Sequence, residues 1–157
     1  MGYDHSMNVE IDFKPGVSID AALAALKPLS DYCGWEREGL LRNKLSGDDS
    51  IEITVEEDAI LHMSIYTCGE VSHSYPDLVR DFAERLRGIA EAGSIELRDH
   101  DTGDLENAIS TIWYGDPDEV VAAQRVDAWQ EAAALLQGVG TSEEVLKAMA
   151  TIGGFST

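Results

Sequence analysis

Positive charge is scarce in this chain. Against 30 Asp and Glu stand only 11 Lys and Arg, giving 157 residues a formal net charge of -19. A field of that sign repels phosphate backbones and anionic lipid, so direct nucleic-acid binding is not expected, and it speeds encounter with a basic partner. The same acidity also serves plain solubility. Cysteine is nearly absent too: Cys33 and Cys68 are too few for a disulfide framework. No charged n-region, apolar h-region and cleavage site opens the chain, and the expected setting is reducing and cytoplasmic. Long apolar runs are missing; "AALAALKPL" is broken by Lys27 and Pro28, short of the roughly 20 residues that span a bilayer. The N-terminal "MGYDHS" fits the myristoylation pattern formally, but no polybasic segment supplies a second anchor.

The usual catalytic signatures are also missing. The chain contains no G-x-S-x-G, Walker A, G-x-G-x-x-G, H-E-x-x-H or C-x-x-C. Neither an enzyme nor a cofactor is therefore expected. Paired carboxylates are so common that "EED" at 56–58 and "DPDE" at 116–119 carry no acid–base meaning. Cys68 and His73 share a loop without a nucleophile motif, and His62 reads as a partly exposed strand residue.

What is present is patterning. With 44% hydrophobic residues the chain is the size of one ordinary domain, expected to cover 1–157 with 1–7 and 153–157 frayed. "NVEIDF" alternates Val9, Ile11 and Phe13, a half-buried strand. Ser18 N-caps a helix whose Ile19, Ala22, Leu23 and Leu26 share a face and whose stop is expected at Pro28. Residues 30–49 have no clean period. Two alternating runs then form a hairpin, Ile51, Ile53 and Val55 followed by Leu61, Met63 and Ile65. A second helix carries Leu78, Phe82, Leu86 and Ile89, with Pro76 in its first turn and Gly93 as expected C-cap. "SIELR" and "AISTIWY" are two further strands. Asp116, Pro117 and Glu119 open a long helix with Val121, Ala128, Trp129, Ala132, Leu135 and Leu136 along one side, and Thr141 with Glu144 opens a last one.

This order predicts an α+β fold. The sheet is expected to be mainly antiparallel, of about five strands, with helices on one face. Its core would be a ferredoxin-like βαββαβ arrangement extended by a strand and two C-terminal helices.

One stretch looks like a site. "RDHDTGD", residues 98–104, places Asp99, His100, Asp101 and Asp104 around Gly103. A calcium loop needs a third oxygen ligand where this sequence has glycine, and a zinc site needs more imidazole and thiolate. Asp, Thr and Gly are also what a tight connection between antiparallel strands uses. A turn is therefore expected, and a metal-binding role for Asp99, Asp101 and Asp104 is the alternative.

Charge is unevenly spread. Residues 45–79 hold eight acidic side chains and no Lys or Arg, and residues 91–119 hold nine with Arg98 alone. If the two hairpins are neighbours in the sheet, their turns and outward faces make one negative surface. Glu56, Glu57, Asp58, Asp99, Asp101 and Asp104 would supply its charge and the aromatic residues Tyr66, Trp113 and Tyr114 its apolar contacts. In size, acidity and order of elements the chain resembles bacterial immunity proteins and phage-encoded inhibitors in general character, with no shared motif. The expected function is a non-enzymatic acidic binding module that masks a basic, nucleic-acid-binding surface of a partner protein. The alternative is a small-molecule or divalent-metal domain using 99–104. The sequence does not set the oligomeric state.

Overall fold

The computed structural model describes residues 3–45, 47–102 and 108–136. Gly103, Asp104 and the expected last helix lie outside them, as do the side chains of Leu135 and Leu136. By internal contacts the chain divides into two compact units, 1–116 and 117–157.

The first unit is built on an antiparallel sheet of five strands in the order β2-β3-β1-β4-β5. Its elements run β1 (Tyr3–Asp12), α1 (Ile19–Cys33), α2 (Arg37–Leu41), β2 (Ser50–Glu56), β3 (Ala59–Val71), α3 (Tyr75–Arg85), β4 (Gly93–Asp99) and β5 (Ile109–Tyr114). The order β2-β3-β1-β4, with every neighbour antiparallel, interleaves two split βαβ units. This is the expected ferredoxin-like core. β5 is added to the outer edge of β4. β1 is longer at its start than the alternation implied, because residues from Tyr3 onward pair with the end of β3 instead of fraying.

One face of the sheet makes the core. Met7, Val9 and Ile11 of β1 lie beside Ile65 and Met63 of β3 and Leu97 and Ile95 of β4, all buried. Against them pack Ala22, Ala25, Leu26 and Leu29 of α1, and Tyr75, Val79, Phe82 and Ala83 of α3 followed by Leu86. The buried stripe of α3 is thus rotated slightly from the expected one, leaving Leu78 and Ile89 at its margin. Spacing of three and four residues is kept.

Two expected boundaries move, each for a local reason. α1 does not stop at Pro28 but runs through it to Cys33, where Gly34 takes a left-handed C-cap with φ 72. A proline inside a helix strips the hydrogen bond from the carbonyl four residues earlier. That carbonyl, Ala24 O, accepts instead from Arg85 Nη1 at 3.4 Å. α3 ends at Arg85 with Leu86 as its C-cap, so Gly93 does not cap it and instead opens β4. Residues 37–41, without period in the sequence, form the short α2.

The described part of the second unit is α4 (Pro117–Leu136), which begins at the proline as expected. Its apolar residues do not form the expected buried side. Val121 and Ala128 are exposed, and Trp129 and Ala132 are half-buried. No described helix is long and apolar enough to cross a membrane.

Candidate functional site

The face of the sheet opposite α1 and α3 carries the other parity of every strand. Because side chains alternate across a strand, the pairing register states which residues share this open face. Across the middle run Ser50, Tyr66, Asn8, Glu96 and Thr111. In the adjacent rows Glu52 faces Ser64, which faces Glu10, and Ser94 faces Trp113. Beyond these, Thr54 faces His62, which faces Asp12, while Cys68, Ser6 and Arg98 stand in line toward the other end, followed by Glu70 opposite Asp4.

The open face is therefore acidic. Its strands present Asp4, Glu10, Asp12, Glu52, Glu70 and Glu96, and among the described residues Arg98 is its one Lys or Arg. Arg98 lies 3.6 Å from Glu96, and His62 Nδ1 lies 2.8 Å from Asp12 Oδ1. The remaining cations of the first unit lie outside the open face and are largely answered by carboxylates. Lys27 pairs with Asp31, Arg37 with Asp20, Arg42 with Glu38, Arg80 with Asp77 and Arg85 with Asp81. The sequence asymmetry survives folding as an asymmetry between open face and helices.

Two aromatic side chains stand on this acidic surface. Tyr66 is 42% exposed and Trp113 half-buried. Between β1 and β4 lies a shallow depression of ≈ 310 Å³ lined by Asn8, Val9, Glu10, Ser94 and Glu96. Its polar walls end in two carboxylates.

The expected acidic cluster divides. The two hairpins are not neighbours, because β1 lies between β3 and β4. The 56–58 turn sits where β1 ends at Asp12, whereas Asp99 pairs with His5 near the start of β1. These ends are about 25 Å apart at about 3.4 Å per strand residue. Tyr66 and Trp113 share a face, whereas Tyr114, expected with them, has the opposite parity and is buried, and the acid residues beside the first two are Glu10, Glu52 and Glu96. Sequence reasoning passed over these, yet their signal was present: they hold the positions opposite in parity to Val9, Ile51 and Ile95.

Of the 98–104 stretch, Arg98 and Asp99 close β4 and His100 to Thr102 begin the connection toward β5. Asp99 Oδ1 accepts the Asp101 amide at 2.9 Å, an Asx turn. Asp101 Oδ2 accepts the Asp4 amide at 2.6 Å, and the His100 amide donates to Asp4 O at 2.9 Å. His100 Nε2 also lies 3.0 Å from Ser6 Oγ. Both described carboxylates thus hold backbone amides, and that of Asp101 fastens the loop to β1. No group of three or more His, Cys, Asp or Glu among the described residues is placed to hold a metal ion.

A second depression, of ≈ 330 Å³, opens beside the end of β3, where Tyr32, Cys33, Asp49, Thr67, Cys68, Glu70, Val71 and Tyr75 line it. Asp49 builds its wall, accepting from the Cys68 amide at 3.2 Å and from Trp35 Nε1 at 3.4 Å. Burial, with Asp49 adding to it, pushes the Cys33 thiol up to about 11. Cys33 therefore stays protonated and unreactive at neutral pH. Below it Tyr75 is buried, its hydroxyl 2.9 Å from Thr67 Oγ1 and its ring edge-on to His5. Burial holds the His5 imidazole below its ordinary range, against the opposing pull of Asp99. These groups form structure at the end of the core.

Comparison with known proteins adds no identity: the chain matches no family model, no curated protein and no solved structure.

Proposed function

We propose that the open face of the sheet is a non-enzymatic binding surface for a basic protein, of the inhibitor or immunity type, and that it covers a basic, nucleic-acid-binding patch on that partner. One observation carries this reading: six carboxylates from β1, β2, β3 and β4 share one sheet face with Tyr66 and Trp113, against Arg98 as its one described Lys or Arg. Lys and Arg side chains suit such a face because carboxylates attract their charge and aromatic faces stack on it. The depression between Glu10 and Glu96 gives one such side chain a seat. Rigid strands hold these groups in fixed register, so binding requires little ordering.

An arginine-rich peptide serves as probe for the face. The triple variant Glu10→Gln, Glu52→Gln, Glu96→Gln removes three charges from it. A control triple, Asp31→Asn, Glu36→Gln, Glu84→Gln, removes three exposed charges from the helices of the same unit. Titration calorimetry is expected to show the first variant weakened at least about tenfold more than the control. Equal losses would reduce the interaction to net charge and remove the face from the account.

A further inference from the structure

β5 is the one strand of this sheet without a charged residue. It reads ISTIWY, whereas β1, β2, β3 and β4 each carry at least one carboxylate in a chain that is 26% charged. It also lies at the edge, paired among the described residues with β4 alone. An edge strand exposes a row of unpaired backbone groups, and proteins usually blunt it with charge, proline, a bulge or a covering loop. The other edge, β2, has several of these devices. It carries Glu52 and Glu56, it is bulged between Thr54 and Val55, and Asn43 Oδ1 accepts the outward Ile53 amide at 3.0 Å. β5 itself has none.

The register states what this edge offers. The Asp99 amide donates to Ala108 O at 2.7 Å, so Ser110, Ile112 and Tyr114 exchange bonds with β4 and the N–H and C=O groups of Ile109, Thr111 and Trp113 face outward. The side chains of the same three residues stand on the open face, where Ile109 is 45% exposed.

We propose that this edge pairs antiparallel with the same edge of a second copy of the chain, about a two-fold axis at Thr111. In that register each Ile109 lies opposite the Trp113 of the other copy on the open face. Each Ser110 lies opposite Ile112 on the helix side. A β-branched side chain against an aromatic one is a favourable cross-strand pair, and the contact closes as an isologous dimer. No like charges meet along the strand, which is what an acidic chain needs in order to meet itself. The two sheets join into one, with both acidic faces on the same side. This inference stands on the edge and does not rest on the basic-partner reading.

Salt separates the two. The long-range repulsion between two chains of net charge -19 is screened beyond about 8 Å at physiological ionic strength. The dimer therefore tightens as salt rises, whereas binding to a basic probe weakens. The test is sedimentation equilibrium of the full chain between about 50 and about 500 mM salt, with two variants at the axis. Thr111→Glu sets two carboxylates against each other, and Thr111→Pro removes an outward N–H without removing a bond to β4. A wild-type dimer that tightens with salt, weakened at least about tenfold in both variants while far-ultraviolet circular dichroism is unchanged, is the expected result. A wild-type monomer at every salt concentration, a dimer that salt weakens, or a dimer that either folded variant retains in full would overturn it. So would a monomer whose Ile109, Thr111 and Trp113 amides gain exchange protection only on adding the arginine-rich peptide, which would assign the edge to a partner's strand.

Discussion

Replacing Phe82 by alanine is expected to cost about 3–5 kcal/mol of folding stability, the largest single effect in the unit built on the sheet. Phe82 is fully buried on α3, within the core that the helices share with the sheet. The loss has two parts. The ring's transfer out of water is worth about 1.5–3 kcal/mol, and the cavity left behind adds to this because the surrounding core relaxes only in part. Domains of this kind have about 5–15 kcal/mol to lose. Chemical denaturation monitored by circular dichroism checks the figure, and a loss below about 1 kcal/mol would mean that Phe82 is not in a close-packed core.

Gly93→Ala is expected to destabilise by about 1–3 kcal/mol, against the trend that glycine in a strand is better replaced. The backbone at Gly93 is ordinary, and the obstacle is a side chain. Tyr114, the cross-strand partner of Gly93, lays its buried ring over the glycine and donates from its hydroxyl to Glu10 O at 3.0 Å. A Cβ at position 93 would meet the Tyr114 hydroxyl and stand 2.7 Å from Cζ. Either the ring shifts and gives up its bond to β1, or the start of β4 moves away from β5. Tyr114→Phe in the same chain is expected to rescue only part of the loss, since it removes the hydroxyl and leaves the ring carbon. A neutral or stabilising Gly93→Ala in thermal melts would contradict this packing.

Both residues show what the sequence does and does not disclose. Val9, Ile11, Phe13, Ile51, Ile53, Met63 and Ile65 alternate with polar neighbours, and that parity was enough to give the strands and their buried side. The antiparallel α+β sheet follows from it. Nothing local at Pro28 shows that the carbonyl it leaves without a partner is served by Arg85, a residue 61 positions away. Gly93 is of the same kind: glycine after a helical period reads as a cap, and nothing local says that Tyr114 lies over it. Both features rest on tertiary contacts that no window of sequence contains.

The acidic surface was legible in composition and partly in place. Tyr66 and Trp113 belong to one face because each has the outward parity of its strand. Glu56, Glu57 and Asp58 would join Asp99 and Asp101 only if the two hairpins adjoined, and strand order, a long-range property, puts β1 between them. The same insertion brought Glu10, with Asp4 and Asp12, to the middle of the face. Asp99 and Asp101 were singled out by density of charge, and their carboxylates hold backbone amides.

The measurement that bears most directly on the central claim is a map of amide and side-chain chemical shifts as the arginine-rich peptide is titrated into the labelled 157-residue chain. Shifts concentrated on Asn8, Glu10, Ser64, Tyr66, Ser94, Glu96 and the Trp113 indole, fading as salt is added, are the expected result. Shifts concentrated on α1 and α3 or on the 99–101 loop, or spread evenly over the acidic residues of the whole chain, would contradict a binding surface on the open face of the sheet.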